Sequence, residues 1–178
     1  MRLNRTVALV GMMGAGKTSI GRRLAARVNV PFRDADHEIE AAAGLSISDI
    51  FVRFGEPHFR DGERKVIARL LDETPHVLAT GGGAFMDEAT RAAMAHKAFT
   101  IWLKAPVSLL LARVKKRETR PLLKEGDMRA TMERLLEERE PVYATADMTI
   151  ESADEPHAVA VERIIAALKD RSLCEDHA

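Results

Sequence analysis

The stretch Gly11-Met-Met-Gly-Ala-Gly16-Lys17-Thr18, directly after the apolar run Thr6-Val-Ala-Leu-Val10, constrains the fold more than any other feature of the chain. It satisfies G-x-x-x-x-G-K-[ST], the loop with which nucleoside triphosphate enzymes hold phosphate. Its glycines let consecutive backbone N–H groups turn inward around phosphate oxygens without a Cβ clash. Lys17 is the residue to meet the β- and γ-phosphates, and the Thr18 hydroxyl the one to ligate Mg²⁺. The motif requires a strand before it and a helix after it. Val7, Leu9 and Val10 supply a short buried-strand run, and Ile20, Leu24 and Val28 recur at helical spacing from about Lys17 onward. Such a helix aims its positive N-terminal end at the same phosphates. An ordinary glycine-rich turn is the competing reading; the full eight-residue match in this context disfavours it.

Arg2 and Arg5 ahead of an apolar run have roughly the dimensions of a secretory signal. Three glycines interrupt that run, Lys17, Arg22 and Arg23 follow it, and cleavage would remove the phosphate loop, so a cytoplasmic location is expected instead. The 178 residues suit one domain with a substantial core. The 27 basic and 27 acidic residues cancel, which argues against a general nucleic-acid or membrane surface. No segment approaches the roughly 20 apolar residues of a membrane span. The lone Cys174 excludes an internal disulfide and a cysteine-based zinc site, and suits a reducing compartment. The six His residues lie far apart, without a metal-ligand spacing.

Strand-like and helical patterns alternate, which predicts an α/β fold with a parallel sheet covered on both faces. After the first strand and helix, a second strand is expected at Val30–Arg33, ending in Asp34-Ala-Asp36. Helical patterns follow at about 37–43, from near Ser46, and strongly from Gly55 to Leu71. A third strand covers Val77–Thr80 and closes on Gly81, Gly82 and Gly83. A helix at about 87–96, a fourth strand at Phe99–Leu103, helices at about 107–116 and 127–139, a fifth strand at 147–151 and a last helix at about 156–169 complete the pattern. One domain is expected over 1–170, with 171–178 as a frayed tail.

Chemistry on such a sheet sits at the C-terminal ends of its strands, and the unusual residues fall there. On an extended segment, Asp34 and Asp36 would point the same way. Helix capping is the plain alternative for either Asp and is compatible with function. The third strand, Val-Leu-Ala-Thr, carries no acid, so the second Mg²⁺-associated carboxylate must come from elsewhere, and Asp34 is the nearest candidate. Three consecutive glycines are entropically costly. A close backbone approach to a ligand, with the N–H groups of Gly81 to Gly83 facing a small polar substrate, accounts for them better than a flexible turn.

Taken in order, Gly11-Met-Met-Gly-Ala-Gly-Lys-Thr-Ser19, Asp34-x-Asp36, Gly55-Glu-Pro-His-Phe59-Arg60-Asp-Gly-Glu63, Gly81-Gly-Gly83, Arg120-Pro-Leu-Leu123 and Arg139-Glu-Pro-Val-Tyr143 resemble bacterial shikimate kinases across nearly the whole chain. The resemblance implies transfer of the γ-phosphoryl of ATP to the 3-hydroxyl of shikimate, in chorismate and aromatic amino-acid biosynthesis. It implies a three-layer P-loop NTPase fold of the nucleoside monophosphate kinase type, with a five-stranded parallel sheet of order 2-3-1-4-5. A mobile lid at about 113–127 and a monomer acting on shikimate and ATP complete the expectation.

By the same resemblance, Gly14, Ala15, Gly16, Lys17, Thr18 and Ser19 bind ATP, and Thr18 and Asp34 hold Mg²⁺. Asp36 binds the acceptor hydroxyls and is the candidate for taking the proton. Arg60 and Arg139 clamp the substrate carboxylate, a task for which a planar fork suits better than an ammonium. Glu63, one turn from Arg60, orients it through an i, i+3 pair. Gly81, Gly82 and Gly83 approach shikimate. Arg120 reaches the transferring phosphoryl from the lid, and Arg113 stacks on adenine; as bare residues these two read equally as a charged loop and a solvated helix end. Where the family often has an Arg- or Asn-rich adenine loop, this chain reads Glu151-Ser-Ala-Asp-Glu-Pro156. Gluconate or a nucleoside monophosphate is the rival acceptor on this scaffold, and a nucleotide-binding regulator without turnover the rival from another class.

Overall fold

A computed structural model describes residues 2–115 and 128–175, with the backbone alone at Arg2 and Glu175. Five strands form a parallel sheet: β2 (Thr6–Val10), β3 (Phe32–Asp34), β4 (Val77–Ala79), β5 (Ala98–Lys104) and β6 (Met148–Glu151). They lie side by side as β3-β4-β2-β5-β6, which is order 2-3-1-4-5 when these five strands are counted along the chain. Every residue of β2 and β4 is buried, as expected of central parallel strands covered on both faces.

The helices are α1 (Lys17–Val28), α2 (Ala35–Ala43), α3 (Ile47–Leu70), α4 (Glu88–Lys97), α5 (Val107–Lys115), α6 (Met128–Tyr143) and α7 (His157–Asp170). Their distribution follows from right-handed crossovers. The step from β2 to β3 runs one way along the sheet, carrying α1 to one face, where α7 packs beside it. The steps from β3 to β4, β4 to β5 and β5 to β6 all run the other way, which sends α2 to α6 to the opposite face. β2 and its neighbour β4 therefore hand their chains to opposite faces, and a crevice opens at their C-terminal ends. Register levels that edge. Leu9 pairs with Ala79, and Ala79 with Asp34, so the phosphate loop, the triple glycine and Asp34 start at one height. The Thr80 hydroxyl donates to the Leu9 carbonyl at 3.0 Å and pins the two loops together.

Several local expectations are corrected. The helix after β3 starts at Ala35, so Asp36 lies in its first turn and not on an extended segment; capping by Asp34 brings the start forward. The helix from Ser46 and that from Gly55 form one long element, bent where Gly55 adopts φ 81°, ψ 171° ahead of Pro57. The Phe51 and Phe59 rings meet across the bend, 4.7 Å apart. Helix α6 does not stop at residue 139. It runs through Pro141 to Tyr143, where only the final turn has to absorb the missing N–H. Of the tail expected to fray at 171–178, the described part returns to the body: β7 (Cys174–Glu175) pairs antiparallel with β1 (Arg2–Leu3), and Cys174 is buried. Residues 116–127, with Arg120 and most of the expected lid, lie outside the described residues.

Candidate active site

Two clefts open side by side at the C-terminal edge of the sheet. One is lined by Gly14, Gly16, Lys17, Thr18, Ser19, Asp34, Asp36, Thr80, Arg113, Val114 and His157. The other is lined by Met13, Asp36, Ile47, Phe51, Phe59, Arg60, Glu63, Gly81, Gly82, Gly83 and Arg139. Asp36 belongs to both. With the open solvent at their mouths included, the first spans about 910 Å³ and the second about 570 Å³.

Loop geometry in the first cleft follows from its glycines. Gly14 and Gly16 sit at φ 80° and 94°, a region that side chains with a Cβ avoid, and Gly16 then starts α1. Ala15 is wholly buried within the loop. Lys17 is only 7 % exposed, and its ammonium donates to the Gly11 and Met12 carbonyls at 2.6 and 2.8 Å. Thr18 donates to Asp34 Oδ2 at 2.8 Å, while Asp34 Oδ1 accepts from the Asp36 N–H at 3.1 Å. One oxygen of this carboxylate thus caps α2 while the other meets Thr18. Thr18 and Asp34 form a pair of hard oxygen donors. Among the described residues no cluster of three or more His, Cys, Asp or Glu could hold a metal. That sparse set fits Mg²⁺, which keeps water and phosphate oxygens for most of its octahedron.

Arg113 reaches over this cleft from α5. Its guanidinium donates to the Gly14 carbonyl at 3.5 Å, to Ser152 Oγ at 3.3 Å and to the Ala153 carbonyl at 3.4 Å. The divergent segment after β6 is therefore gathered onto the phosphate loop by Arg113 itself. His157, at the start of α7, also faces this cleft and had no signal in the sequence beyond its place after Pro156.

The second cleft is charged on one side and apolar on the other. Arg60 donates to Glu63 Oε2 at 2.7 Å and to Glu56 Oε1 at 3.3 Å, as the i, i+3 spacing predicts for Glu63. Glu63 is 2 % exposed, and its second oxygen, Oε1, has no hydrogen-bond partner among the described residues. Burial pushes its carboxyl above the usual range, against the pull of the Arg60 guanidinium. Arg139, on α6, is buried at 9 % exposure and brings a second guanidinium from a different helix. Ile47, Phe51 and Phe59 form the apolar wall.

Gly81 and Gly83 have a sharper reason to be glycine than chain flexibility. A Cβ on Gly81 would sit 2.8 Å from Glu63 Oε1 and 3.0 Å from Asp36 Oδ1. One on Gly83 would sit 2.5 Å from Arg60 Nη2 and 2.7 Å from its Cζ. The close approach inferred for this loop is therefore first to the site's own side chains. Gly83→Ala is expected to push the Arg60 guanidinium aside, because that fork is tied to Glu63 and Glu56. For a carboxylate acceptor held by that fork, KM should rise on the order of tenfold, about 1.4 kcal/mol, with thermal stability and the KM for nucleotide close to wild type. Steady-state kinetics in both substrates, with a melting curve, check this.

The Shikimate kinase family model matches residues 13–169. The chain is 59 % identical to a shikimate kinase of Bradyrhizobium diazoefficiens over 174 residues, covering 98 % of this chain and 84 % of that one. It is 58 % identical to the enzyme of Caulobacter vibrioides over 165 residues, covering 93 % and 82 %. Among solved structures, shikimate kinase from Acinetobacter baumannii in complex with shikimate superposes with a TM-score of 0.92 at 36 % identity, covering 95 % of each chain. A gluconokinase from Sinorhizobium meliloti reaches a TM-score of 0.58 at 16 % identity, covering 97 % of this chain and 99 % of its own, and shares the fold alone. Ordered motifs, sheet order, paired clefts and these likenesses lead to one assignment: the chain belongs to the shikimate kinase family, ATP-dependent enzymes that phosphorylate shikimate.

Proposed function

We propose that the two clefts hold the two substrates of a single transfer, ATP over the phosphate loop and shikimate against Arg60 and Arg139. The observation that carries this reading is Asp36, the one carboxylate among the described residues common to both clefts. A group that takes the proton of the attacking hydroxyl belongs at such a boundary. The acceptor oxygen attacks the γ-phosphorus, the bond from that phosphorus to the β–γ bridging oxygen breaks, the hydroxyl proton passes to Asp36, and ADP leaves. Lys17 and the backbone N–H groups of Gly14 to Ser19 meet the phosphate oxygens. Thr18 and Asp34 would hold Mg²⁺, which when bound neutralises charge on the phosphates. Arg60 and Arg139 receive the shikimate carboxylate, the wall of Ile47, Phe51 and Phe59 faces its ring, and the Gly81–Gly83 backbone approaches its hydroxyls. Arg113 covers the nucleotide, and Arg120 is assigned to the transferring group.

Among the described residues no helix is long and apolar enough to cross a membrane. A cytoplasmic monomer is part of the same proposal, supported by the single cysteine and the balanced charge. Release of ADP that depends on shikimate, and not on gluconate or a nucleoside monophosphate, is the expected result of a coupled assay. Nucleotide binding with no turnover on any of the three would overturn the proposal.

The two carboxylates should separate experimentally. Asp34→Asn is expected to recover part of its activity as Mg²⁺ is raised, because it removes a metal-associated charge and keeps an oxygen for the Asp36 N–H. Asp36→Asn is expected to stay inactive at every Mg²⁺ concentration, since its loss lies at the acceptor. Parallel Mg²⁺ titrations of turnover check this; an identical response in both variants would remove the distinction.

A further inference from the structure

Tyr143 touches three parts of the site without lining either cleft. It is fully buried, four residues beyond Arg139 and hence on the same face of α6. Its hydroxyl donates to the Gly82 carbonyl and lies 3.9 Å from Met12 Sδ, so it meets the triple glycine and the phosphate loop together. Its ring stacks on Trp102, 5.8 Å between centroids and 26° between planes. Trp102 in turn packs beside the phosphate loop, where a Cβ on Gly11 would lie 3.3 Å from Trp102 Cδ1.

From this arrangement we infer that Tyr143 is a positioning residue for the acceptor, setting shikimate affinity by holding the Gly82 carbonyl and the base of Arg139 in register with the phosphate loop. The reasoning rests on the assignment of the second cleft to shikimate. A trans peptide points its C=O and N–H in opposite directions. Holding the Gly82 carbonyl onto the buried Tyr143 turns the Gly83 N–H away from Tyr143 and so fixes the plane of a peptide whose two glycines both line the cleft. The same hydroxyl anchors the end of the helix turn that carries Arg139. Burial pushes the Tyr143 hydroxyl up to about 12, while Arg139 and Arg60 pull it down and Glu63 reinforces the rise, so it stays a donor throughout the neutral range.

Tyr143→Phe keeps the ring on Trp102 and removes the hydroxyl, which takes a donor from the Gly82 carbonyl and a hydrogen-bond acceptor from the Arg139 guanidinium. The expected result is a five- to twentyfold rise in the KM for shikimate, with the KM for ATP within twofold of wild type and kcat within about threefold. A shikimate KM within twofold of wild type would overturn the inference. So would an equal worsening of all three parameters together with a large fall in melting temperature, the pattern of a merely structural residue. Wild-type turnover measured alongside keeps the readings apart. A wild type inactive on shikimate sinks the cleft assignment itself, whereas an active wild type with an unaltered variant sinks only the role of Tyr143.

Because the chain contains one tyrosine, growth on 3-fluorotyrosine labels this position alone without a mutation. Its ¹⁹F resonance is expected to shift when the labelled protein is saturated with shikimate. A resonance unmoved at saturation would overturn the inference whether or not the Phe variant folds.

Discussion

Lys17→Ala is expected to lower turnover at least about a hundredfold, which corresponds to roughly 3 kcal/mol or more of lost transition-state stabilisation. The charge that Lys17 meets grows on the β- and γ-oxygens as the bond to the leaving group loosens, so its contribution falls mainly on kcat. From its place at a surface loop, little effect on folding is expected. The structure revises that, because Lys17 is buried and its ammonium ties the Gly11 and Met12 carbonyls together. Loss of those two charge-assisted bonds should also cost stability, about 1–3 kcal/mol. Lys17→Met preserves the apolar stem and makes the comparison cleaner. A melting curve shows how far the loop has loosened, and single-turnover kinetics at saturating ATP show the chemical defect. Wild-type turnover in a folded Lys17→Ala protein would remove Lys17 from the reaction.

Removing either clamp arginine is expected to raise the KM for shikimate by an amount worth on the order of 2–4 kcal/mol, with ATP binding nearly unchanged. Burying a carboxylate requires paired donors, and Arg60 and Arg139 bring two forks from different helices. Arg→Lys at either place should be costly as well, since an ammonium cannot reproduce bidentate geometry. The methyl ester of shikimate should bind wild type poorly and lose much less on going to the variants. Acid and ester measured with wild type, Arg60→Ala and Arg139→Ala give a thermodynamic cycle for each arginine. Equal losses for acid and ester in both variants would mean that neither arginine reads the carboxylate. Arg60 carries a complication that Arg139 does not. Its removal leaves Glu63 buried without its cation, and burial already favours the protonated form of that carboxyl. Arg60→Ala combined with Glu63→Gln separates loss of the clamp from disturbance of its support.

The parts of this molecule that the sequence made legible are those where one residue type has one physical reason. The phosphate loop needs glycine at positive φ, Lys17 and Thr18, and α1 begins and ends where its pattern indicated. Strand order came from resemblance, because nothing in the local pattern of Val77–Ala79 says which neighbour it takes. Less legible were features made by convergence of distant segments. The helical patterns from Ser46 and from Gly55 gave no sign that the bend at Gly55 folds them together and brings Ile47, Phe51 and Phe59 into one wall. The helix expected at about 127–139 ended too early to show that Tyr143 continues the face carrying Arg139. Asp36 reaches both clefts from a helix turn and not from the extended segment that its spacing with Asp34 suggested. The pairing of Arg2–Leu3 with Cys174–Glu175 is too short to leave any periodicity.

That two-stranded ribbon has a consequence for how the chain can be rearranged. It joins the beginning of β2 to the end of α7, and so lies at the N-terminal end of the central strand, across the sheet from the edge where both clefts open. The backbone around Asn4 is bound to the Leu173 carbonyl at 3.1 Å, and the Asn4 side chain to the Ser172 carbonyl at 3.1 Å. Arg2–Leu3 and Cys174–Glu175 are thus spatial neighbours, and a short linker between these two strands would close the intervening chain with little loop-closure entropy. A circular permutant opened at an exposed turn would keep the sheet order and leave the catalytic edge undisturbed, making the order of segments along the gene separable from the order of strands in space.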